Sequence, residues 1–220
     1  MPASQLIEVN QREWQQMRPG IQMKPLWSDE ASGRRVQITR FDAGASLPMH
    51  RHDGDELLYV IEGALSDESG TVTAGNAGYR PNGCVHSVKS AYGATVLAFI
   101  SGSVAPATEI GSAPPSQIIT LTEIPWNSAM KGVQAKTVWE DKASKRRAAL
   151  VRFEPGAKLP AHRHVGDEFV FVIEGSNADE TGELHVGNVS YRPYGCEHSV
   201  WTKNGATALA IVTGGVEMLS

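Results

Sequence analysis

The sequence predicts an all-β protein built from two tandem barrel-like domains. Three observations support this: the second half of the chain repeats the first, short apolar runs recur at the same spacing in both halves, and Gly and Pro separate these runs. Many short strands divided by such turns are typical of a β-sandwich or a closed barrel.

The repeat predicts the domain organisation. When the sequence is shifted by 112 residues, 14–102 aligns with 126–214 without a gap, and 45 of the 89 aligned positions are identical. Such agreement indicates an internal duplication, and each copy is long enough to be a domain. The segment 103–116 is rich in Pro, Ser, Ala and Gly and is predicted to be a linker. We therefore expect an N-terminal domain at 1–112 and a C-terminal domain at 113–220.

Individual strands are predicted where apolar residues alternate with polar ones or form short runs. Residues 35–41 alternate, and 147–153 repeat this pattern less regularly. Runs rich in aliphatic, β-branched and aromatic residues predict further strands at 57–61, 94–100, 169–173 and 206–212. The segment 5–16 is the one helical candidate.

Composition restricts the partners and the cellular location. The chain has 20 Lys and Arg against 24 Asp and Glu, with no basic block, so we expect no nucleic-acid partner. No run reaches the roughly 18–20 apolar residues of a membrane helix, and the first residues lack a secretory pattern. We therefore expect no membrane partner. Cys84 and Cys196 occupy equivalent positions in separate copies, so we expect no disulfide between them and a cytoplasmic location.

Four polar residues of the first copy predict a metal site. His50 and His52 are two positions apart, so on a strand they point to the same face. A turn at 53–55 can bring Glu56 back beside them, and His86 can arrive from a distant strand. Three imidazoles and one carboxylate then face one point inside the barrel.

The second copy repeats the whole set at the same spacing. Its members are His162, His164, Glu168 and His198. A single pair of histidines would be better explained as buried, hydrogen-bonded residues, but the duplicated set with its flanking Gly and Pro favours two metal sites. Imidazole suits zinc, iron, nickel and copper, and the carboxylate extends the choice to manganese. The remaining histidine, His185, faces Thr73 in the alignment and is predicted to lie on the surface.

The segments around these residues resemble the two sequence motifs of the cupin superfamily. In the first copy they are 50–56 (HRHDGDE), 62–63 (EG), 66–70 (SDESG) and 79–83 (YRPNG), and the second copy keeps much of them at 174–175, 179–182 and 191–195. The pattern looks most like the cupin domain of ChrR-type anti-sigma factors. The resemblance implies a conical jelly-roll β-barrel and a divalent metal, zinc in the family's regulator. Iron, manganese and nickel are the alternatives that the ligand types leave open. The resemblance also implies the metal-ligand role for His50, His52, Glu56, His86, His162, His164, Glu168 and His198.

One departure from the ChrR pattern concerns the sigma factor. ChrR-type regulators bind it through an N-terminal helical domain with a zinc site of cysteine and histidine ligands. Here no cysteine precedes Cys84, no helical domain is predicted ahead of the first barrel, and a second barrel follows instead. A sigma factor is a partner that the resemblance implies, but we expect this chain not to bind one in the ChrR manner.

Two functions agree with these features. The first is a sensor or regulatory protein of a stress or transcriptional response, in which a small molecule or an oxidant changes a metal-stabilised barrel. The second is a non-haem metal-dependent dioxygenase for a small enolisable or aromatic substrate, with Glu56 or Glu168 alternating between ligand and general base. No further acid, base or nucleophile motif is present, which favours the first, and the fold alone does not decide whether the protein is an enzyme.

Two sets of neighbouring residues bear on this choice. Cys84 and Cys196 each precede the last histidine of their set by two residues, so they are either redox-sensitive thiols or small buried residues, and the second interpretation is favoured. The pockets are also expected to differ if the diverged positions line them. These positions include Asp53 against Val165, Tyr59 against Phe171, and Asn82 against Tyr194.

Overall fold

The computed structural model describes residues 2–219, and almost all of its regular structure is β-strand. The strands that precede the second copy, or open it, are β1 (Gln5–Ile7), β2 (Gln15–Arg18), β3 (Ile21–Asp29), β4 (Arg34–Phe41), β5 (Ser46–His52), β6 (Glu56–Asp67), β7 (Gly70–Thr73), β8 (Ala77–Arg80), β9 (Val85–Lys89), β10 (Ala94–Ile100), β11 (Val104–Pro106) and β12 (Gln117–Ile119). The remaining strands are β13 (Asn127–Met130), β14 (Val133–Asp141), β15 (Arg146–Phe153), β16 (Lys158–His164), β17 (Glu168–Asp179), β18 (Gly182–His185), β19 (Val189–Arg192), β20 (Glu197–Trp201), β21 (Ala206–Val212) and β22 (Val216–Met218). The all-β prediction is confirmed. Among the described residues, no helix is long and apolar enough to cross a membrane.

The chain forms two compact units whose bounds differ from the predicted ones. One unit is Arg12–Glu123, and the other joins the segment ending at Gln11 to the segment that begins at Ile124. The physical reason is strand pairing: β12 pairs antiparallel with β8 in the first unit, and β1 pairs antiparallel with β19 in the second. The segment preceding each copy therefore completes the barrel of the other copy, which the expected division at 1–112 and 113–220 did not include.

The prediction of a helix at 5–16 is wrong. This segment instead contains β1, a single 3-10 turn at Val9–Gln11 and the beginning of β2. Backbone pairing with β19 and burial of Ile7 stabilise the extended conformation of β1. Tertiary pairing thus overrides a weak local preference.

Each unit is an 11-stranded antiparallel sheet with the same topology. In the first, the order is β11-β5-β9-β6-β10-β4-β3-β2, with β7 and β8 on β6, and β12 on β8. In the second, the equivalent order is β22-β16-β20-β17-β21-β15-β14-β13, with β18 and β19 on β17, and β1 on β19. Strands β6 and β17 are therefore the central elements of their barrels.

A bend in β6 brings both of its ends to one place. Fully extended, its 12 residues would separate Glu56 from Asp67 by roughly 36 Å, yet both carboxylates contact Arg80. The chain turns at Gly63, whose φ is 73°, and where a Cβ atom would lie 2.0 Å from the carbonyl oxygen of Gly93. Glycine is required there for both reasons, and Gly175 is in the same situation in β17.

The inward side chains of the central strands build the cores. In the first unit, Leu58 and Val60 of β6 pack with Val96 and Ala98 of β10 and with Phe41 at the end of β4. Each of the Leu, Val and Phe side chains contributes about 1.5–3 kcal/mol when it is fully buried. This apolar core encloses the site described next.

Candidate metal sites

Three histidines come together inside the first barrel. His50 and His52 lie on β5, and His86 lies opposite His50 on the neighbouring strand β9. Each offers one ring nitrogen, and these nitrogens all lie within 4.8 Å of one another. Since His52 and His86 are only 2% exposed, the group is closed to bulk water on most sides.

The second barrel repeats the group with His162 and His164 on β16 and His198 on β20. His162 again lies opposite the histidine from the distant strand, His198. All three are buried. The structure therefore brings together the six histidines that the sequence predicted, in two groups of three that could each hold a metal ion.

The ring orientations fit a common ion. The Nδ1 atom of His50 lies 2.9 Å from the carbonyl oxygen of Pro48, to which it can donate a hydrogen bond. Its Nε2 atom then remains free to bind a metal ion. The Nε2 atoms of His52 and His86 are 2.9 Å apart. Two nitrogens bound at about 2.1 Å to one ion lie about 3.0–3.4 Å apart at angles of about 90–109°. His162, His164 and His198 repeat both distances.

Burial favours the neutral form of four of the imidazoles, and the neutral form is the one that binds metals. Desolvation lowers the pKa of His52 to about 4 and that of His198 to about 2, and it lowers the pKa of His50 and His164 as well. At neutral pH, protons therefore do not compete strongly with a metal ion for these nitrogens.

Glu56 lies beside the first group rather than within it. Its Oε2 atom is 3.7 Å from Nε2 of His52 and 3.6 Å from Nε of Arg80. Burial opposes ionisation, but it is more than offset by charge interactions with His52, in its protonated form, and with Arg80. These interactions hold the pKa of Glu56 below its ordinary value. The carboxylate is thus ionised and one small movement away from a ligand position, and its role as the fourth ligand stays a prediction.

Glu168 repeats this arrangement at shorter range. Its Oε2 atom lies 3.4 Å from Nε2 of His164 and 3.0 Å from Nη1 of Arg192. Here, too, burial opposes ionisation and is outweighed, chiefly by Arg192, so the pKa of Glu168 is lowered. The structure places Glu168 next to the three histidines and not among them, so its role as the fourth ligand also stays a prediction.

A buried arginine and aspartate support each site, and sequence reasoning assigned neither a site role. Arg80 is 1% exposed; its Nη2 atom lies 3.1 Å from Oδ2 of Asp67, which in turn lies 3.4 Å from Nδ1 of His86. A carboxylate behind a metal-binding imidazole fixes the orientation of the ring. In the second barrel, Arg192 and Asp179 are 2.9 Å apart. The sequence feature that could have indicated this role is that the aspartate and the arginine are the same in both copies and lie within the cupin-like motifs.

The comparisons with known proteins agree with this geometry. The family model described as the ChrR Cupin-like domain matches residues 2–104 and again 115–216. The chain belongs to this family. The resemblance deduced from the sequence motifs is therefore confirmed, and both barrels are cupin domains. A search of curated proteins found no match.

Solved structures show the same bicupin fold at low sequence identity. A putative dioxygenase from Nostoc punctiforme aligns with a TM-score of 0.83 at 16% identity, covering 100% of this chain and 87% of the other. A deletion mutant of Bacillus subtilis oxalate decarboxylase aligns with a TM-score of 0.72 at 18% identity, covering 100% of this chain and 80% of the other. At these identities the likeness establishes the fold alone.

The two cupins differ in the space next to the histidines. The N-terminal cupin contains a cavity of about 470 Å³ that reaches His50, His52, His86 and Glu56. The corresponding cavity of the C-terminal cupin measures only about 60 Å³. Its lining includes Asn177 at the position of Leu65. The expected difference between the pockets is present, but the diverged residues singled out from the sequence, Asp53, Tyr59 and Asn82 with their counterparts, are not among the lining residues.

The two cysteines are core residues. Cys84 and Cys196 are 0% and 1% exposed, and their sulfur atoms lie near the hydroxyl groups of Ser116 (3.6 Å) and Ser4 (3.9 Å). Burial raises the pKa of both thiols, the opposite of what a reactive thiolate needs. Neither belongs to a histidine group. These observations agree with the favoured interpretation and oppose the redox-sensitive one.

Proposed function

We propose that the N-terminal cupin is a metal-dependent, dioxygenase-type centre for a small enolisable or aromatic molecule. The observation that carries this proposal is the cavity of about 470 Å³ that opens onto the three histidines and Glu56. A small organic molecule in it would contact the metal-binding residues directly. The C-terminal cavity, at about 60 Å³, has room for little more than water or a diatomic molecule.

The residues around the cavity suit proton abstraction from a substrate. A bound divalent ion of the iron type would supply Lewis acidity and redox chemistry toward dioxygen. Glu56, ionised at neutral pH, can accept a proton from an acidic C–H or O–H group held near the histidines. Arg80 orients this carboxylate, while walls including Leu58 and Val96 exclude water and so strengthen the local charge interactions.

The choice of metal follows from the ligands and the similar structures. Three imidazoles with a nearby carboxylate suit iron and manganese as well as zinc and nickel. Manganese(II) centres are named for the Bacillus subtilis oxalate decarboxylase, whose fold this chain shares at 17% identity. We favour iron or manganese at the N-terminal site, with zinc as the alternative that the ChrR likeness implies.

A second candidate function is a ligand-responsive regulator. Membership of the ChrR cupin-like family favours it, as does the small C-terminal cavity, because a metal there would serve stability rather than turnover. In this role the protein would bind a small molecule or an oxidant, and we propose that any sigma factor is bound in a manner different from that of ChrR. A cytoplasmic location is proposed for both functions, from the two free cysteines.

Oxygen consumption tests the first function. Protein loaded separately with Fe(II), Mn(II) and Zn(II) is screened with β-diketones and flavonols in an oxygen electrode. We expect uptake with the iron or manganese form, and a loss of about 100-fold or more in Glu56→Gln, which removes the proton acceptor. The matched control is Glu62→Gln, the same change at an exposed position of the same strand.

The opposite result would be informative as well. No uptake with any metal, together with a rise in melting temperature when one of these compounds is added to the zinc form, would contradict the enzyme and favour the regulator. Uptake that persists in Glu56→Gln would remove the proposed role of this residue.

A further inference from the structure

The inner face of β4 carries a buried polar pair in the N-terminal cavity. Gln37 and Thr39 are two positions apart, so both point to the same side of the strand. They are 8% and 5% exposed, and both line the cavity. The Nε2 atom of Gln37 donates a hydrogen bond to Oγ1 of Thr39 at 3.0 Å.

This pair is costly in an apolar barrel unless its polar groups are satisfied. Burying an amide or a hydroxyl without a partner costs about 1–3 kcal/mol in proteins. The observed hydrogen bond uses one amide proton of Gln37, so the amide oxygen and the hydroxyl proton of Thr39 can serve a ligand. On one side of β4, the residues in register with Gln37 are Ala98 on β10 and, one strand further, Leu58 on β6. On the other side it is Pro25 on β3, and none of these side chains can hydrogen-bond.

The C-terminal cupin shows that the barrel does not need the pair. Ala149 and Val151 occupy the equivalent positions on β15. That strand pairs with its neighbours in the same way, and its cupin has only the small cavity. The polar pair therefore belongs to the large cavity and not to the fold.

The sheet geometry places the pair two strands away from Glu56. Strand β10 separates β4 from β6, and neighbouring strands lie about 4.8 Å apart, so the two outer strands are roughly 10 Å apart. Gln37 lies two residues beyond Arg35, and Arg35 is level with Glu56 through Ile100. A molecule that contacts Glu56 must therefore cross two strand spacings of the sheet to reach Gln37.

We infer that Gln37 and Thr39 form a second anchor that selects an elongated, mainly apolar ligand. Such a ligand would carry an oxygen donor for the metal at one end and a hydroxyl or carbonyl group at the other. The inference rests on the proposed use of the N-terminal cavity, and it adds which molecules that cavity prefers. Met23 and Met49 in the wall can adapt to ligands of different width; the second copy has alanine at both positions.

Calorimetric titration of the zinc-loaded protein tests this inference without turnover. The probes are benzohydroxamate and 3-phenylpropanohydroxamate, each with and without a para-hydroxyl group, because hydroxamates bind metals through two oxygens. On at least one of the two scaffolds, we expect the para-hydroxyl to strengthen binding about fivefold, the value of one net hydrogen bond. The double variant Gln37→Ala/Thr39→Val, which copies Ala149 and Val151, should lose this gain and bind the unsubstituted probes within about twofold of the parent protein.

The inference is overturned if the para-hydroxyl gives no gain on either scaffold, or if the double variant keeps the gain. Gln37→Met, which keeps the volume and removes the amide, provides a second variant should the double one fold poorly. If no hydroxamate binds at all, both the anchor and the proposed ligand site fail. Binding with no para-hydroxyl gain overturns the anchor alone, and absence of oxygen uptake leaves this result unaffected.

Discussion

Replacing Arg192 with methionine should destabilise the C-terminal cupin by about 3–5 kcal/mol. The guanidinium group is 2% exposed and lies 2.9 Å from Asp179 and 3.0 Å from Glu168. Methionine fills much of the volume but leaves two buried carboxylates without their cation. Urea unfolding of the metal-free protein, compared with the parent, measures the change.

The control for this substitution is Arg146→Met. Arg146 also pairs with an aspartate, Asp141, at 3.2 Å, but both side chains are about one-third exposed. A surface pair of this kind contributes about 1 kcal/mol or less. A loss below that value in Arg192→Met would contradict the supporting role assigned to the buried arginine.

The effect of Arg192→Met should also depend on pH. The pKa values of Glu168 and Asp179 are lowered in the folded protein, despite burial, largely by Arg192. A carboxyl group whose pKa is lowered by folding stabilises the fold at pH values above the ordinary pKa of that group. This contribution is lost as the pH falls through the pKa that the group has in the folded protein. The difference between parent and variant should therefore shrink as the pH is lowered below about 4–4.5.

Metal removal should produce the second large effect. We expect two divalent ions per chain, and a fall of at least about 10 °C in melting temperature after chelation, reversed by zinc. The ligands of each site come from separate strands and are buried together, so metal affinity becomes folding free energy, about 4 kcal/mol at a free metal concentration 1,000 times Kd. Elemental analysis and calorimetry measure both quantities.

Single substitutions assign the two ions. His52→Ala and His164→Ala should each remove one ion, whereas His185→Ala should remove neither, because His185 is exposed as predicted and lies outside both groups. A stoichiometry near one in the parent protein would show that one group is not a metal site. An unchanged melting temperature after confirmed metal loss would contradict the coupling to folding.

The duplicated pattern made much of the fold and the histidine groups predictable. His50 and His52 are two residues apart on one strand, so strand alternation alone places them on one face. His162 repeats His50 at the 112-residue shift, and the same reasoning applies there. The role of Asp67 was not predictable in this way, because it depends on the bend of β6 at Gly63, which returns a residue 11 positions away to the site. The role of Arg80 depends on the pairing of β8 with β6, which places Arg80 level with Glu56.

Two other features depend on tertiary structure. The pairing of β1 with β19 joins residues more than 180 positions apart, and no local sequence pattern predicts it. The expected difference between the pockets was placed on positions such as Tyr59, but alternation counted from Glu56 through Leu58 puts Tyr59 on the outer face of β6. The polar pair on β4 was visible as residues that differ between the copies, yet its position in the cavity was not.

Binding stoichiometry of a metal-directed ligand most directly tests whether only the N-terminal cupin opens its metal site to small molecules. Zinc-loaded protein with two ions per chain is titrated with benzohydroxamate. The cavities of about 470 and 60 Å³ predict one bound molecule per chain, lost in His52→Ala and retained in His164→Ala. Two molecules per chain, or binding that survives in His52→Ala, would contradict it.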